Sequence, residues 1–431
     1  MAVRQTRADG EASTLGKVSW ALYDWANSPF TTLIITFVFA AYFAEGIVGD
    51  KVRGQALWGY TLGISGVLIA LVSPLLGAVA DAGGPRKPWI LVFTAVCIAG
   101  SASLWYAEPA PEFIVPAMTA VILANLGFEF GIVFNNAMLP DMVPHERIGR
   151  WSGWAWGLGY AGGLAALFVG LYGFVLPDTP LLGLSRDGAE QVRVVGPLVA
   201  LWFLLFAWPL FAFTPDRPRS GLTIGQSVRQ GMANLVATAR DLRRHGNVLT
   251  FIVARIFYAD GLATVFGIGG IYAKLQFDMT LTEFMMFGIV LNVTAGLGAA
   301  AFAWIDDWLG SKRTIALSLL GLLITAFGAV VVEDVAWFWV WGSLLGIFVG
   351  PAQAASRSLM ARLAPADLRT EFFGLFAFSG KATAWLGPIL AGAVTAATDS
   401  QRWGLATVLA FFLVGLVLLF FVREERAESP D

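Results

Sequence analysis

Read along its hydrophobic and polar positions, the chain falls into twelve long apolar stretches cut by charged and proline-containing breaks. They cover about 19–46, 56–80, 88–107, 112–139, 151–175, 196–213, 247–274, 282–305, 313–332, 336–361, 370–397 and 402–422. Each is long enough to cross a bilayer as a helix and far longer than the alternating strands of an outer-membrane barrel. The pattern predicts an all-α polytopic membrane protein. Polar residues interrupt it at meaningful places. In the first span Asp24, Asn27, Ser28 and Thr31 follow i, i+3, i+4 and i+7, which stacks them on one helix face. Pro29 cannot donate to the carbonyl of Trp25 one turn back, so that acceptor is left free beside the stripe.

Composition narrows the picture. Of 431 residues, 57% are hydrophobic and 13% charged, and the mean hydropathy is +0.70, which leaves no room for a large soluble domain. Residues 1–18 are polar and contain no apolar core with a cleavage-like site, so they read as a cytosolic tail rather than a signal peptide. The single cysteine, Cys97, excludes an intramolecular disulfide. His145 and His245 stand apart from other ligand-type residues, and neither a metal site nor a cofactor is expected. The formal net charge of −2 says nothing about partners, because in a membrane protein the side on which charge lies matters more than its sum; no nucleic-acid partner is expected.

Sorting the 28 Lys and Arg residues by loop places 19 on the side of the termini, 6 on the opposite side and 3 within spans: Arg255, Arg357 and Lys381. The bias puts both termini in the cytoplasm; the expected location is a bacterial inner membrane. The expected organisation is a tail at 1–18, a six-helix bundle at 19–213, a cytoplasmic linker at 214–246, a second bundle at 247–422 and a tail at 423–431. Within the linker, Ile224, Val228, Met232, Leu235, Val236 and Leu242 recur at helical spacing between arginines. An amphipathic helix on the membrane interface and a solvated charged linker both fit that pattern.

The two halves resemble each other. After the second span runs GAVADAGGPRK, residues 77–87, and after the eighth AWIDDWLGSKR, residues 303–313; both carry Asp-x-x-Gly-x-basic-basic, at Asp81, Gly84, Arg86 and Lys87 and at Asp307, Gly310, Lys312 and Arg313. Pro144 followed by Gly153 is matched by Pro365 followed by Gly374 at the same offset. The repeat distances are 226 and 221 residues. They imply a parallel duplication of a six-helix unit about an axis along the membrane normal. Glycine lets the chain turn tightly, and the charges can change partners when helix ends separate.

This signature resembles that of the major facilitator superfamily, although Ala82 stands where that superfamily usually has a basic residue. Within it, YDWANS at residues 23–28 and YADGLAT at residues 258–264 resemble the branch of autophagy-related vacuolar amino-acid effluxers and their bacterial relatives. The resemblance implies twelve helices in two pseudo-symmetric bundles, alternating-access transport, and export of a small amino acid. It implies no enzymatic activity.

The remaining buried polar residues supply candidates for a solute site. Asn125, Glu129 and Asn136 form one stripe in the fourth span, since i, i+4 and i+11 return to nearly the same direction. Gln353 and Arg357 are i, i+4 neighbours in the tenth. Arg255 and Asp260, five apart, point about 140° away from each other and need partners from other helices. The residues read as substrate-binding are Asp24, Asn27, Asn125, Glu129, Arg255, Tyr258, Asp260, Asn292, Gln353, Arg357 and Lys381. Six ionisable groups among them would cost roughly 15 to 20 kcal/mol if left unpaired in lipid, so they are paired, hydrated or protonated. A cation that clamps a carboxylate and an acid that holds an ammonium group would suit a zwitterion. Fixed interhelical ion pairs are the structural alternative for the same residues. The partners expected are the lipid bilayer, a small solute and protons, for a monomer. A proton-coupled exporter of drugs or sugars is a rival reading, and a membrane-embedded enzyme or non-transporting receptor a reading of another class.

Overall fold

The computed structural model describes residues 11–240, 245–279 and 281–424. Most of the two predicted tails and the linker arginines Arg243 and Arg244 lie outside the described residues. Among the described residues, eleven helices are long and apolar enough to cross a membrane, and the chain is an all-helical integral membrane protein.

Cα packing divides the chain into two compact units. The first comprises residues up to Val72, Gly84–Met138 and Leu158–Ser220. In it α1 (Thr14–Pro29) and α4 (Lys87–Ser103) both pack on α8 (Val195–Phe213). After Pro29 the first span widens into a π-type turn at Phe30–Phe37, followed by the short α2 (Phe39–Tyr42). The cause is local. Pro29 removes one donor, and Ser28, Thr31 and Thr32 turn their hydroxyls back onto carbonyls of their own helix at 2.7 to 3.1 Å, a competition that loosens the ladder. The freed Trp25 carbonyl accepts from the indole of Trp202 at 3.3 Å, with the two indoles stacked 5.6 Å apart.

The second unit comprises Ser73–Gly83, Leu139–Gly157 and Gly221 onward. It therefore holds the end of α3 (Lys51–Gly83), the end of α5 (Ile114–Met142), the start of α6 (Ile148–Gly170), and every helix after α8, whereas the one-turn α7 (Glu190–Arg193) and α8 belong to the first unit. The first of these later helices, α9 (Ile224–Arg240), buries Ser227 and Thr238 while Val228, Met232 and Val236 stand exposed at i, i+4 and i+8. Beyond it α10 (Gly246–Phe277) packs on α16 (Gln401–Phe420), and α13 (Val335–Leu363) packs on α11 (Leu281–Leu309) and α12 (Ser311–Val331).

One predicted span is corrected. The stretch expected as a continuous helix at 370–397 is two helices, α14 (Arg369–Ser379) and α15 (Leu386–Thr398), with residues 380–385 between them. Gly380 and Lys381 close α14 with tight i→i−3 bonds to Ala377 and Phe378. Pro388 sits in the first turn of α15, where the missing N–H costs nothing. Hydropathy alone carries no signal for such a break, because both pieces remain apolar.

Candidate functional site

The predicted solute-site residues fall into two groups, one in each unit. In the first unit Asp24 and Asn27 are buried on α1, at 8% and 3% exposure, and the Asn27 amide nitrogen makes no hydrogen bond within the protein. Asn125 on α5 donates to Ser65 on α3 at 2.8 Å, and Glu129 lies one turn further along the same helix, half-buried. A carboxylate, an amide with an unmet donor and a second acid thus lie on buried or half-buried faces of α1 and α5. A buried donor without an acceptor is costly and suits a site that a ligand's acceptor completes.

In the second unit Tyr258 on α10 shares a hydrogen bond with Ser356 on α13 at 2.7 Å. Arg255 lays its guanidinium over the Phe376 ring, 3.6 Å from the centroid, and donates to the Phe376 carbonyl and the Ser379 hydroxyl. Asp260 accepts from Thr383, in the break between α14 and α15, at 3.1 Å. Lys381 belongs to the same break. Asn292 turns back on its own helix, donating to the Gly288 carbonyl at 2.8 Å, and Gln353 is half-buried one turn before Arg357. Arg357 donates to the hydroxyl and carbonyl of Ser152 at 2.9 and 2.6 Å and stands near the Trp156 ring. A guanidinium so placed ties α13 to the start of α6.

The two repeated turns are built alike. Gly84 and Gly310 adopt φ of +101° and +92°, a left-handed bend that glycine accepts without strain. Each preceding aspartate caps a helix that is not its own. Asp81 accepts from the Thr370 hydroxyl at 2.7 Å and the Glu371 N–H at 2.9 Å. These groups stand in the first turn of α14, whose own N-cap residue, Leu368, offers no side-chain bond. Asp307 accepts from the Arg150 N–H at 3.0 Å, and from the N–H of Gly149, in the first turn of α6. A first turn has N–H groups without intrahelical partners and the positive end of the helix dipole, so a carboxylate is the natural complement.

The repeat offset carries Gly149 and Arg150 onto Thr370 and Glu371, so the two caps are equivalent. It also carries Gly153 onto Gly374. A Cβ at Gly153 would lie 2.6 Å from the Ala299 carbonyl, and one at Gly374 would lie 2.5 Å from the Ser73 carbonyl, again repeat equivalents. Here glycine allows helix backbones to touch.

Each turn is held from a third direction by an acid that inspection of the motif missed. Asp216, just beyond α8, accepts from the N–H groups of Arg86 and Lys87 at 2.9 and 3.0 Å. Glu424, just beyond α16, accepts from those of Ser311 and Lys312 at 2.8 and 2.9 Å. The basic side chains cap the preceding helices in return: Lys87 donates to the Phe211 carbonyl at 3.0 Å, and Lys312 to the carbonyls of Phe420 and Val422 at 2.9 and 2.6 Å. Arg313 stands beside that turn, in the first turn of α12. An acid just after the sixth and the twelfth span, Asp216 and Glu424, was the sequence signal available. Around Asp307 the arrangement is ionic: Arg362 reaches Asp306 at 3.1 Å, Asp307 at 3.7 Å and Glu424 at 3.3 Å, and Arg150 approaches Asp307 at 3.3 Å. Near Asp81 the corresponding ion pair is Arg369 with Asp141.

Comparison with known proteins places this architecture. A family model described as "Vacuole effluxer Atg22 like" matches residues 44–152 and 145–430. The Bacillus subtilis (strain 168) protein named "Uncharacterized MFS-type transporter YxiO" is 26% identical over 416 residues, covering 95% of each chain. Autophagy-related protein 22 of Coccidioides immitis (strain RS) is 24% identical over 456 residues, covering 86% of this chain and 72% of that one. Among solved structures, the proton:xylose symporter XylE of the major facilitator superfamily superposes with a TM-score of 0.72 at 13% identity, covering 95% and 96% of the two chains. A bacterial homologue of the iron transporter ferroportin gives 0.69 at 13% identity, covering 94% and 98%.

Proposed function

This chain belongs to the Atg22-like vacuole effluxer family within the major facilitator superfamily, and from that premise we propose that it exports a small zwitterionic solute, an amino acid, by alternating access. The protein is an integral membrane transporter, and its relatives and structural neighbours are transporters rather than enzymes. The observation that carries the substrate reading is the buried pair one turn apart on α1. Asp24 supplies a carboxylate for an ammonium group, and the Asn27 amide supplies a donor that the protein itself leaves unused. Asn125, Glu129, Arg255, Tyr258, Asp260, Asn292, Gln353 and Lys381 complete the set of polar groups offered to the solute or its coupling ion.

The turns at Asp81 and Asp307 act as latches. Each caps the first turn of a helix from the opposite repeat, and these bonds exchange during the transport cycle. Arg357 joins that layer through Ser152 rather than contacting solute. Both termini and the linker with α9 face the cytoplasm of a bacterial cell. A reporter that is active only in the cytoplasm, fused after Asp431, should be active; a silent fusion at normal expression overturns this orientation.

Uptake of labelled amino acids into proteoliposomes tests the substrate directly. The wild-type protein should transport at least one of them, and Asp24→Asn should lose most of that transport while inserting and unfolding normally. Wild-type transport of sugars or drugs with no amino acid moved would replace the substrate class. Unchanged transport and stability in Asp24→Asn would remove α1 from the site.

A further inference from the structure

Asp260 is the buried acid for which the solute-site geometry gives an incomplete account. It lies on α10 at 1% exposure. One carboxylate oxygen accepts from Thr383 at 3.1 Å. The other, Oδ2, is buried and makes no hydrogen bond among the described residues. The residue stands opposite the only interruption in the predicted 370–397 span, since Thr383 belongs to residues 380–385 between α14 and α15.

Its surroundings are apolar or already engaged. α16 presents Phe411 and Phe412 at the neighbouring Gly261, and α15 presents Gly387 at the Asp260 backbone. The Thr264 hydroxyl is used on the Asp260 carbonyl at 2.7 Å. The charged groups on the packed elements include Arg255 on α10, Lys381 in the break and Arg357 on α13, with Arg362 on α13, Arg369 and Glu371 on α14 and Arg402 on α16 at other positions along those helices. Arg255 points about 140° away around its helix and holds Phe376 and Ser379. Arg357 holds Ser152. Among the described residues Asp260 Oδ2 has no hydrogen-bond partner, and Oδ1 has Thr383.

We propose that Asp260 Oδ2 is the proton-binding atom of the transport cycle, with Thr383 in the helix break as the group that positions the carboxyl. A carboxylate oxygen removed from water with no donor is satisfied by a proton or a cation. A metal cation requires a cage of several oxygens, and only the carboxyl and one already-donating hydroxyl meet here. A proton requires a single oxygen. Binding forms the Oδ2–H bond and neutralises the carboxylate; release breaks that bond and returns the proton to water. Because Thr383 sits in neither helix, the break is free to change shape as the charge appears and disappears. The coupling part of this inference rests on the transporter reading, whereas the proton site does not depend on which solute is carried.

The test is pH-titrated infrared difference spectroscopy of the full-length protein in detergent, read at the carbonyl stretch of a protonated buried carboxyl. The wild type should show such a band that grows on acidification and is the same in sodium and choline chloride. Asp260→Asn should lack it, and Thr383→Val should shift its midpoint while keeping it. If Asp260→Asn does not fold, Asp260→Glu should move the band in frequency. A wild-type band that survives in Asp260→Asn, or one displaced by sodium, overturns the proposal. In proteoliposomes, an inward pH gradient should alter solute flux several-fold in the wild type and not in Asp260→Asn; equal responses overturn the coupling. Absence of amino-acid flux with the band intact would strike the substrate reading alone.

Discussion

The turns around Asp81 and Asp307 occupy equivalent places in the two repeats, bend at equivalent glycines and cap equivalent helices, yet they hold those helices by different means. Asp81 reaches a hydroxyl and a backbone N–H. Asp307 also caps backbone, but it is set in a ring with Arg150, Arg362, Asp306 and Glu424. Backbone capping is the part the duplication preserved, because helix geometry demands it of any sequence. The charges are free to diverge. The Asp81 turn shows directed hydrogen bonds to α14, and the Asp307 turn adds a nearly buried ionic cluster to its backbone caps.

The largest expected effect comes from breaking that cluster. Arg362 and Asp306 have side chains only 6% and 3% exposed, so Arg362→Ala leaves buried carboxylates unpaired and should destabilise by about 3–5 kcal/mol. The ion pair beside Asp81 is more open, with Arg369 at 19% and Asp141 at 29% exposure. Arg369→Ala should cost less than about 1 kcal/mol. Thermal unfolding in detergent compares the two, and equal losses would abolish the distinction between the latches.

A middle-sized effect sharpens what the repeats share. Gly153→Ala and Gly374→Ala each place a Cβ against a backbone carbonyl and should each cost about 1–3 kcal/mol. Unequal melting shifts in these two variants would show that the close helix approach is not a common design.

The smallest effect on stability, and the most telling for function, comes from the cap at Asp81. Asp81→Asn keeps an acceptor and removes the charge at a helix N-terminus, a loss of about 0.3–1 kcal/mol, and Asp307→Asn should cost more because it also removes the charge facing Arg150 and Arg362. Turnover in proteoliposomes should change more than apparent affinity. Weakened binding with unaltered turnover at saturation would place these aspartates at the solute instead.

Much of the architecture was legible in the chain. Apolar runs of spanning length can be satisfied in lipid only as helices, so their number and approximate ends follow from hydropathy. The latch turns were visible for the same kind of reason: glycine at a left-handed bend leaves a local signature, and its repetition at a fixed offset removes chance. The Trp25 carbonyl freed by Pro29 was foreseeable from covalent geometry alone, but the donation of the Trp202 indole N–H to it was not.

What only tertiary structure decided has a common cause. Asp216 and Glu424 look like ordinary loop acids until the ends of α8 and α16 bring them to N–H groups more than a hundred residues away in sequence. That Arg357 also donates to Ser152 could not be read from the chain, since the two are 205 residues apart. The break at 380–385 is invisible to hydropathy because lipid tolerates either a whole helix or two halves whose freed groups find partners in the protein. The sequence determined the local quantities, namely helix period, span length, turn geometry and the repeat, since each depends on neighbours along the chain. Which buried charges pair, which helix each aspartate caps and which oxygen is left alone depend on long-range contacts, and those exist only once the helices have packed.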